Sequence, residues 1–388
     1  MSYISQKKLP LIALLIPLTF YLGSIVFLYI LPFDKVIDSQ LLALSVVDYV
    51  FTLIVVILLF ISNKREFLEI DIIFQTKYKK NIDKYYILFL LLVGYSLSAT
   101  YTNLNLIIFS GYNREGLLNS ISAGYLDMLL PTIFSCLLVI SIIYKYSRKI
   151  KLLMFIGTVS TMLFYLSRSN LLFIITFPIA FLFIRPFNLN YHKILRFIPV
   201  VLGVVLFASY ITILQGRDDD LFAVFYKIIE TLFRYKAYSF YLAEYAINAA
   251  NDFEKVLFPF FGFFSEKILS LVWYIETPIA VNGSEFVFEF HDLGSGYRAN
   301  VLYPWWAWFY GSFGVAGLLL KSGYIYMILS VILKLRLPLA FMYLLFLVLF
   351  SISVKHPVIN AASFYGIFVL ILFDIVMKVR FSGKNSNN

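Results

Sequence analysis

Charged residues and cysteines are scarce in this chain of 388 residues. Only 14% of the residues are charged and 61% are hydrophobic, and a soluble domain of that composition would expose more apolar surface than water tolerates. The single cysteine, Cys136, has no partner, which excludes an intrachain disulfide. None of the Cys/His spacings that build zinc sites occurs, so no required metal or cofactor is expected. The composition predicts an all-α polytopic membrane protein.

Ten apolar runs are long enough, or nearly so, to cross a bilayer, for which about 20 residues are needed. They cover residues 9–32, 41–62, 85–108, 126–144, 151–166, 170–184, 197–214, 304–333, 338–354 and 357–377. Residues 215–303 contain no uninterrupted apolar span. The predicted organisation is therefore seven spans in residues 1–214, one large loop in residues 215–303, and three spans with a tail in residues 304–388.

Basic residues are distributed unevenly between the two sides that these spans define. With the N-terminus inside, the inner segments hold 20 of the 32 Lys and Arg residues. The short outer connectors hold only Lys35, Arg114, Arg168 and Lys355. The positive-inside rule then places both termini in the cytoplasm and the large loop outside, on the periplasmic or extracellular face. The net charge of +10 is explained by topology, and no nucleic-acid partner is expected.

The large loop holds seven basic and twelve acidic residues. Residues 221–251 have the apolar period of a helix, which we expect to lie flat on the membrane surface. Residues 256–274 carry charges at their centre and should be interfacial or packed on the bundle. Residues 275–303 are irregular, and irregular backbone outside the bilayer is where a site can form. On the opposite side, residues 63–84 should be a solvated cytoplasmic hairpin without a site.

Three arginines, Arg168, Arg217 and Arg298, lie on the predicted outer side. Arginine never deprotonates and binds phosphate in a bidentate manner, so several arginines around one cavity suit a diphosphate leaving group. Snorkelling toward lipid headgroups is the alternative interpretation. Lys355 lies in a tight outer turn before His356, and we expect it to face the same cavity as Arg168.

His291 and Asp292 stand a few residues before Arg298. A histidine can accept a proton from a sugar hydroxyl near neutral pH, and a neighbouring carboxylate can orient it or act itself. A solvated loop histidine is the alternative. The acids that compete for the role of base are Glu276, Glu285 and Glu289. The run Asp218-Asp219-Asp220 could bind a metal, but three acids before a helix favour a helix cap.

Aromatic residues are concentrated between Tyr303 and Tyr310, which include Trp305, Trp306 and Trp308. This pattern is typical of an interfacial belt. Sugar rings also stack on such faces, so Trp305 or Trp306 could be a binding platform.

Three charged residues lie inside predicted spans. We expect Lys321 to snorkel inward and Asp374 to sit near the cytoplasmic end. Asp48 has no such explanation and stays a functional alternative.

The motif Ser167-Arg168-Ser169-Asn170, the large outer loop and the run from Asn300 to Gly317 together resemble bacterial O-antigen and capsule repeat-unit polymerases of the Wzy type. The resemblance implies a fold similar to the glycosyltransferase C class, in the bacterial inner membrane. It also implies metal-independent, inverting glycosyl transfer from a polyprenyl-diphosphate-linked oligosaccharide to a second lipid-linked repeat unit. Membrane lipids and a chain-length regulator protein would be the partners.

Under this resemblance the catalytic residues would be His291, Asp292 and Arg298. The substrate-binding residues would be Arg168, Arg217, Arg298, Trp305, Trp306 and Lys355. Two other functions stay open. An O-antigen ligase would share the phosphate-binding arginines and use a different acceptor, and a lipid-linked oligosaccharide flippase or other transporter would need a polar path across the bilayer.

Overall fold

A computed structural model describes residues 10–30, 37–110, 124–165, 169–185, 203, 206, 210, 221–250, 256–265, 289–294, 298–300 and 302–378. These residues are mostly helical, and their only strands are two residues long each. Six of the helices are long and apolar enough to cross a membrane. The prediction of an all-α polytopic membrane protein is confirmed.

The helices before the large loop are α1 (Leu11–Ile30), α2 (Ser39–Ser62), α3 (Lys64–Ile73), α4 (Lys79–Lys84), α5 (Tyr86–Ser110), α6 (Tyr125–Ile143), α7 (Arg148–Phe164) and α8 (Ser169–Ala180). A π-helical turn, Phe74–Tyr78, joins α3 to α4, and a 3-10 turn, Phe181–Phe183, follows α8. The later elements are α9 (Leu221–Ala249), α10 (Phe258–Phe261), β1 (His291–Asp292), β2 (Arg298–Ala299), α11 (Trp305–Phe313), α12 (Val315–Lys334), α13 (Pro338–Phe350) and α14 (Ala361–Lys378).

The six membrane-length helices are α1, α2, α5, α6, α12 and α14, and each coincides with a predicted span. Helices α7, α8 and α13 also fall on predicted spans, but they have 17, 12 and 13 residues, which is short for a crossing by a straight helix. The span predicted at residues 197–214 lies outside the described residues except for positions 203, 206 and 210. The structure therefore supports six spans of the ten.

The span predicted for residues 304–333 is present only from Val315 onward, because the helix breaks at Gly314. This glycine has φ 61°, a left-handed conformation that ends α11 and that side chains with a Cβ adopt at a cost. Three residues later, a Cβ on Gly317 would lie 2.1 Å from the carbonyl oxygen of Phe309. The chain thus turns tightly between α11 and α12, and α11 becomes a separate short helix.

The sequence predicted a solvated hairpin for residues 63–84, and this prediction is wrong. They form a helical segment that packs on the bundle through five buried side chains: Phe67, Ile70, Phe74, Tyr78 and Ile82. Polar contacts fasten it as well, because the Tyr144 hydroxyl donates to Asp71 at 2.8 Å and Arg336 pairs with Glu69 at 2.8 Å. The side chains that looked solvated are the outer face of an amphipathic helix. We call this end of the bundle, which holds α3, α4 and the α12–α13 turn, the basic end.

Asp374 has a structural partner at the basic end. Its carboxylate accepts the amides of Leu339 (3.1 Å) and Ala340 (2.9 Å), and it also accepts the hydroxyl of Tyr78. The first amides of a helix have no partner within the helix, so Asp374 of α14 caps α13 from a neighbouring element. Asp374 thus lies near the end of α14 that belongs to the basic end, and its position on the cytoplasmic side stays a prediction.

Lys321 does not snorkel, which corrects the sequence-based expectation. It is 0% exposed, and its ammonium contacts the two carboxylate oxygens of Asp48 at 2.6 and 2.5 Å and the hydroxyl of Thr52 at 3.4 Å. A buried charge is tolerated when it is paired and hydrogen-bonded. Asp48 and Lys321, which are far apart in the sequence, therefore form an ion pair between α2 and α12.

The helix predicted at residues 221–251 is present as α9, but it does not lie free on a surface. Residues 237–243 are all buried, whereas a surface helix exposes one side at every turn. Earlier in α9, the ring of Phe233 stacks on Phe20 at 5.7 Å and on Phe27 at 5.1 Å. It also covers Gly23, where a Cβ would come within 2.4 Å of the ring. Helix α9 is thus packed against α1 inside the bundle.

Candidate functional site

Three loop segments are hydrogen-bonded to one another at the end of the bundle opposite the basic end. We call them the junction: residues 256–265, 302–305 and 351–360. The amide of Trp305 donates to Ile352 at 3.1 Å, and the amide of Phe263 donates to Val358 at 2.9 Å. These bonds satisfy backbone groups that burial would otherwise leave unpaired. The three segments of the junction therefore hold one another in place and support the residues that adjoin them.

His356 is the centre of the junction and is 0% exposed. Its Nδ1 accepts the amide of Val358 at 3.2 Å, so the ring hydrogen is on Nε2, which lies 3.1 Å from the carbonyl of Phe258 and 3.2 Å from that of Pro259. Burial lowers the pKa of His356 to about 3, although the two carbonyls favour the charged form. His356 is therefore a neutral, structural histidine with both nitrogens occupied.

A two-stranded hairpin carries the predicted catalytic residues. In the antiparallel pair β1–β2, His291 is opposite Ala299 and Asp292 is opposite Arg298. Asp292 Oδ1 accepts the amide of Gly294 at 3.0 Å and so stabilises the turn. Side chains alternate between the two faces of a strand. Ala299 is buried, whereas Asp292 and Arg298 are exposed, so the predicted base and the predicted phosphate clamp lie on opposite faces of the hairpin.

His291 is held between two tyrosines. Its Nε2 lies 2.9 Å from the hydroxyl of Tyr303, and its ring stacks on Tyr245 of α9 with centroids 3.9 Å apart and planes at 21°. His291 is partly exposed, and Tyr303 is 0% exposed. The imidazole is thus fixed in orientation and still accessible, which is the arrangement that a proton acceptor requires.

The Tyr303 hydroxyl that contacts His291 is neutral. Burial raises the pKa of Tyr303 above its usual range, and the charge of nearby Glu289 raises it further. Tyr303 therefore stays protonated and neutral at physiological pH. A neutral hydroxyl can donate to Nε2 of His291 or accept from it, so both neutral tautomers of the ring fit this bond.

The predicted sugar platforms are interior residues in this structure. Trp305 is 4% exposed, and its indole nitrogen donates to the carbonyl of Pro259 at 2.7 Å. Trp306 is 1% exposed and contacts Tyr310 edge to face. Both rings stabilise the junction, and their proposed stacking on a sugar stays a prediction.

Two lysines near the junction lack acidic partners. Lys355, a predicted binding residue, has no hydrogen-bond or ion-pair partner for its ammonium in the described part of the chain, and burial lowers its pKa. Lys236 of α9 was not predicted. Its ammonium lies 5.2 Å from the ring centroid of Phe20 and 5.9 Å from that of Phe350. A lysine in an apolar helical run was the available signal, and no role was predicted for it.

Several predicted residues fall outside the described residues: Arg114, Arg168, Arg217, Asp218, Asp219, Asp220, Glu276 and Glu285. Of the competing acids, Glu289 is described, and its side chain is exposed close to Tyr303. The structure thus brings together His291, Tyr303 and Glu289. It leaves the roles of the arginines as predictions.

No group of three or more His, Cys, Asp or Glu side chains is placed to hold a metal ion among the described residues. Comparison of the chain with protein-family models, with curated proteins and with solved structures yields no match. The geometry of the junction and the hairpin is therefore the basis for any functional argument.

Proposed function

We propose that the protein is a glycosyltransferase that polymerises lipid-linked oligosaccharide repeat units, of the Wzy type that the sequence resembles. The observation that carries this proposal is the oriented, accessible imidazole of His291, bonded to Tyr303 and stacked on Tyr245 at one end of a membrane bundle. The donor would be a polyprenyl-diphosphate-linked glycan, and the acceptor would be a second lipid-linked unit.

The position of the hairpin supports a reaction on the outer face of the bacterial inner membrane. Helices α13 and α14 each run between the basic end and the junction, because Pro338 and Lys378 lie at one end and Phe350 and Ala361 lie at the other. Basic connectors favour the cytoplasmic side. The junction and the hairpin would then face the periplasm, where lipid-linked units would be joined.

In the proposed reaction, the neutral imidazole of His291 takes the proton of an acceptor hydroxyl. The oxygen of that hydroxyl forms a bond to the anomeric carbon of the donor, and the bond from this carbon to the diphosphate oxygen breaks, with its electron pair leaving on the diphosphate. Arg298 would stabilise the leaving charge. The hairpin is a single layer of two short strands, so a bulky glycan diphosphate can contact groups on both of its faces.

The pairing of Asp48 with Lys321 argues against the transporter alternative. A transporter needs polar groups that are available to solute along a path through the bilayer. Here the two central charges are bonded to each other and are 1% and 0% exposed. They hold α2 to α12, and neither charge is available to a solute.

The proposal is tested by reconstituting the purified protein in liposomes with lipid-linked repeat units and sizing the products. A ladder of lipid-linked polymers is expected from the native protein. Arg298→Ala should lower the rate by about 10²–10³, the usual effect of removing one donor to a developing negative charge. Arg298→Lys should restore little, because an ammonium cannot bind bidentately. Arg65→Ala, at the exposed basic end, is the matched control.

Cells that lack the gene provide a second test. They should display single repeat units on their surface glycan, whereas loss of a ligase would remove surface units altogether and loss of a flippase would trap them inside. Transfer of glycan to a lipid A core by the purified protein, without polymer, would replace the proposed activity by ligation.

A further inference from the structure

Lys236 is a cation without a counter-charge at the level of the membrane. Phe20, which its ammonium contacts, is the tenth residue of the 20-residue helix α1. At 1.5 Å per residue, Phe20 is about 15 Å from either end of that helix. In the described part of the chain, the ammonium has no hydrogen-bond or ion-pair partner. This differs from Lys321, which is neutralised by Asp48.

An unpaired charge in this position is unfavourable by itself. A lysine charge buried among apolar side chains without a partner is unfavourable, and cation–π contacts with aromatic rings return only part of that free energy. Phe20 and Phe350 therefore offset part of the cost. A group that supplies negative charge from outside the protein would offset the rest.

The surroundings of Lys236 connect it to the junction. One turn further along α9, the hydroxyl of Ser239 lies 2.6 Å from the carbonyl of Lys236 and 3.3 Å from that of Ser353. Ser353 is in the turn that also carries Lys355, the second lysine without a partner. Lys236 and Lys355 are thus each within three residues of the hydrogen bond between Ser239 and Ser353, and the apolar rings beside Lys236 suit a lipid chain.

We infer that Lys236 binds the phosphate group of a membrane lipid that enters beside α1, α9 and α13. This inference rests on the proposed function to the extent that the proposed donor is a polyprenyl diphosphate. A phospholipid headgroup would offer the same phosphate chemistry. Lysine binds phosphate as a point charge, so no second bidentate partner is required. Lys355 is the second cation that such a group would meet at the junction.

The test is a binding measurement on the full-length protein in phosphatidylcholine nanodiscs. Farnesyl diphosphate is titrated as the lipid-linked probe, and farnesol, inorganic diphosphate and increasing phosphatidylglycerol are titrated in parallel. We expect Lys236→Met and Lys236→Gln to raise the Kd for farnesyl diphosphate at least tenfold. The exposed lysine of α12 provides the matched control, Lys334→Gln, whose Kd should equal that of the native protein.

Thermal unfolding without ligand separates ligand binding from a purely structural role. A lysine kept for a ligand is unfavourable when the ligand is absent, so Lys236→Met should raise the unfolding temperature while it weakens binding. A structural cation–π anchor predicts a lower unfolding temperature. Unchanged binding of both lipids in the two variants, or a less stable Lys236→Met protein with native affinity, would overturn the inference.

The parallel titrations identify the source of the phosphate. Weakened binding of farnesyl diphosphate supports a lipid-linked diphosphate, and an effect that appears only with phosphatidylglycerol supports a phospholipid headgroup. Equal competition by inorganic diphosphate at the same concentration would show that no lipid is needed and would contradict the inference. The measurement involves no glycosyl transfer, so a failure of the polymerisation test leaves its outcome unaffected.

Discussion

At the scale of single residues, Tyr303 explains how a loop histidine can become a reactive one. Most exposed loop histidines change orientation freely, which weakens proton transfer, since transfer depends on position. Here the buried hydroxyl of Tyr303 and the ring of Tyr245 restrict His291. In turn, the carbonyl of Tyr303 accepts the amide of His356 at 2.9 Å. The position of His291 therefore depends on the ordered junction below it.

Replacing Tyr303 by phenylalanine should separate the hydroxyl from the packing of the ring. We expect His291→Ala to lower turnover by about 10²–10⁴, the usual contribution of positioned proton transfer. Tyr303→Phe should cause a smaller loss and leave the KM nearly unchanged, because it disturbs only the orientation of His291. Rates are measured with lipid-linked repeat units between pH 5 and pH 8, where the native rate should fall on acidification because a protonated imidazole cannot accept the acceptor's proton.

The double variant provides the critical comparison for this pair. If Tyr303 acts through His291, then His291→Ala combined with Tyr303→Phe is no slower than His291→Ala alone. Tyr310→Phe, in the helix α11 that follows Tyr303, is the control and should be fully active. Additive losses in the double variant, or a His291→Ala protein with native rates and an unchanged pH profile, would remove the histidine from the mechanism.

At the scale of elements, the break between α11 and α12 depends on how closely two backbones approach. Gly317 lies where a Cβ would be 2.1 Å from the carbonyl oxygen of Phe309. Backbone atoms of a packed helix cannot move aside as the end of a flexible side chain can. Glycine at this position therefore allows α11 to pack against α12. This packing keeps Tyr303 and Trp305 in the junction.

Helix α12 contains two glycines, Gly317 and Gly323, that together test whether this close approach limits packing. Gly317→Ala should destabilise the protein, with an overpacking cost of about 1–3 kcal/mol. Gly323→Ala should be neutral or stabilising by up to about 1 kcal/mol, because no atom lies within 4 Å of its Cβ position and alanine favours helix. Unfolding temperatures in detergent provide the measurement. Equal shifts in the two variants would mean that the close approach to Phe309 does not limit packing.

At the scale of the whole molecule, the junction should make stability depend on pH. His356 has a pKa of about 3 when folded and about 6.5 when unfolded. Between these values the unfolded chain binds a proton that the folded chain does not. The free energy of unfolding therefore falls as the pH falls from about 6.5 toward 3, by at most about 1.4 kcal/mol per pH unit for this group.

His356→Gln should flatten this pH dependence, since glutamine does not titrate and still carries an N–H donor. The unfolding temperature is measured from pH 7.5 to pH 5 for the native and variant proteins, and the difference between the two curves isolates the histidine. His291→Gln is the control and should keep the steeper curve. Parallel curves for the native and His356→Gln proteins would show that His356 takes up its proton without unfolding the junction.

The sequence alone determined the class of the protein and most of its spans. Apolar run length and basic connectors can be read along the chain, because the bilayer requires about 20 apolar residues regardless of what they contact. Helices α1, α2, α5, α6 and α14 were predictable for this reason. The histidine at position 291 could also be singled out as a candidate, since histidine is the side chain whose ordinary titration falls closest to neutral pH.

Only the tertiary structure decided which residues meet. Asp48 pairs with Lys321 across 273 positions, and Asp374 caps the helix that begins at Pro338. Neither contact leaves a periodic signal, because each depends on how helices distant in sequence pack. The same holds for Tyr245 and Tyr303 around His291, and for Lys236, whose lack of a counter-charge is a property of the space around it. Burial and pairing are set by three-dimensional packing, and a one-dimensional pattern does not contain them.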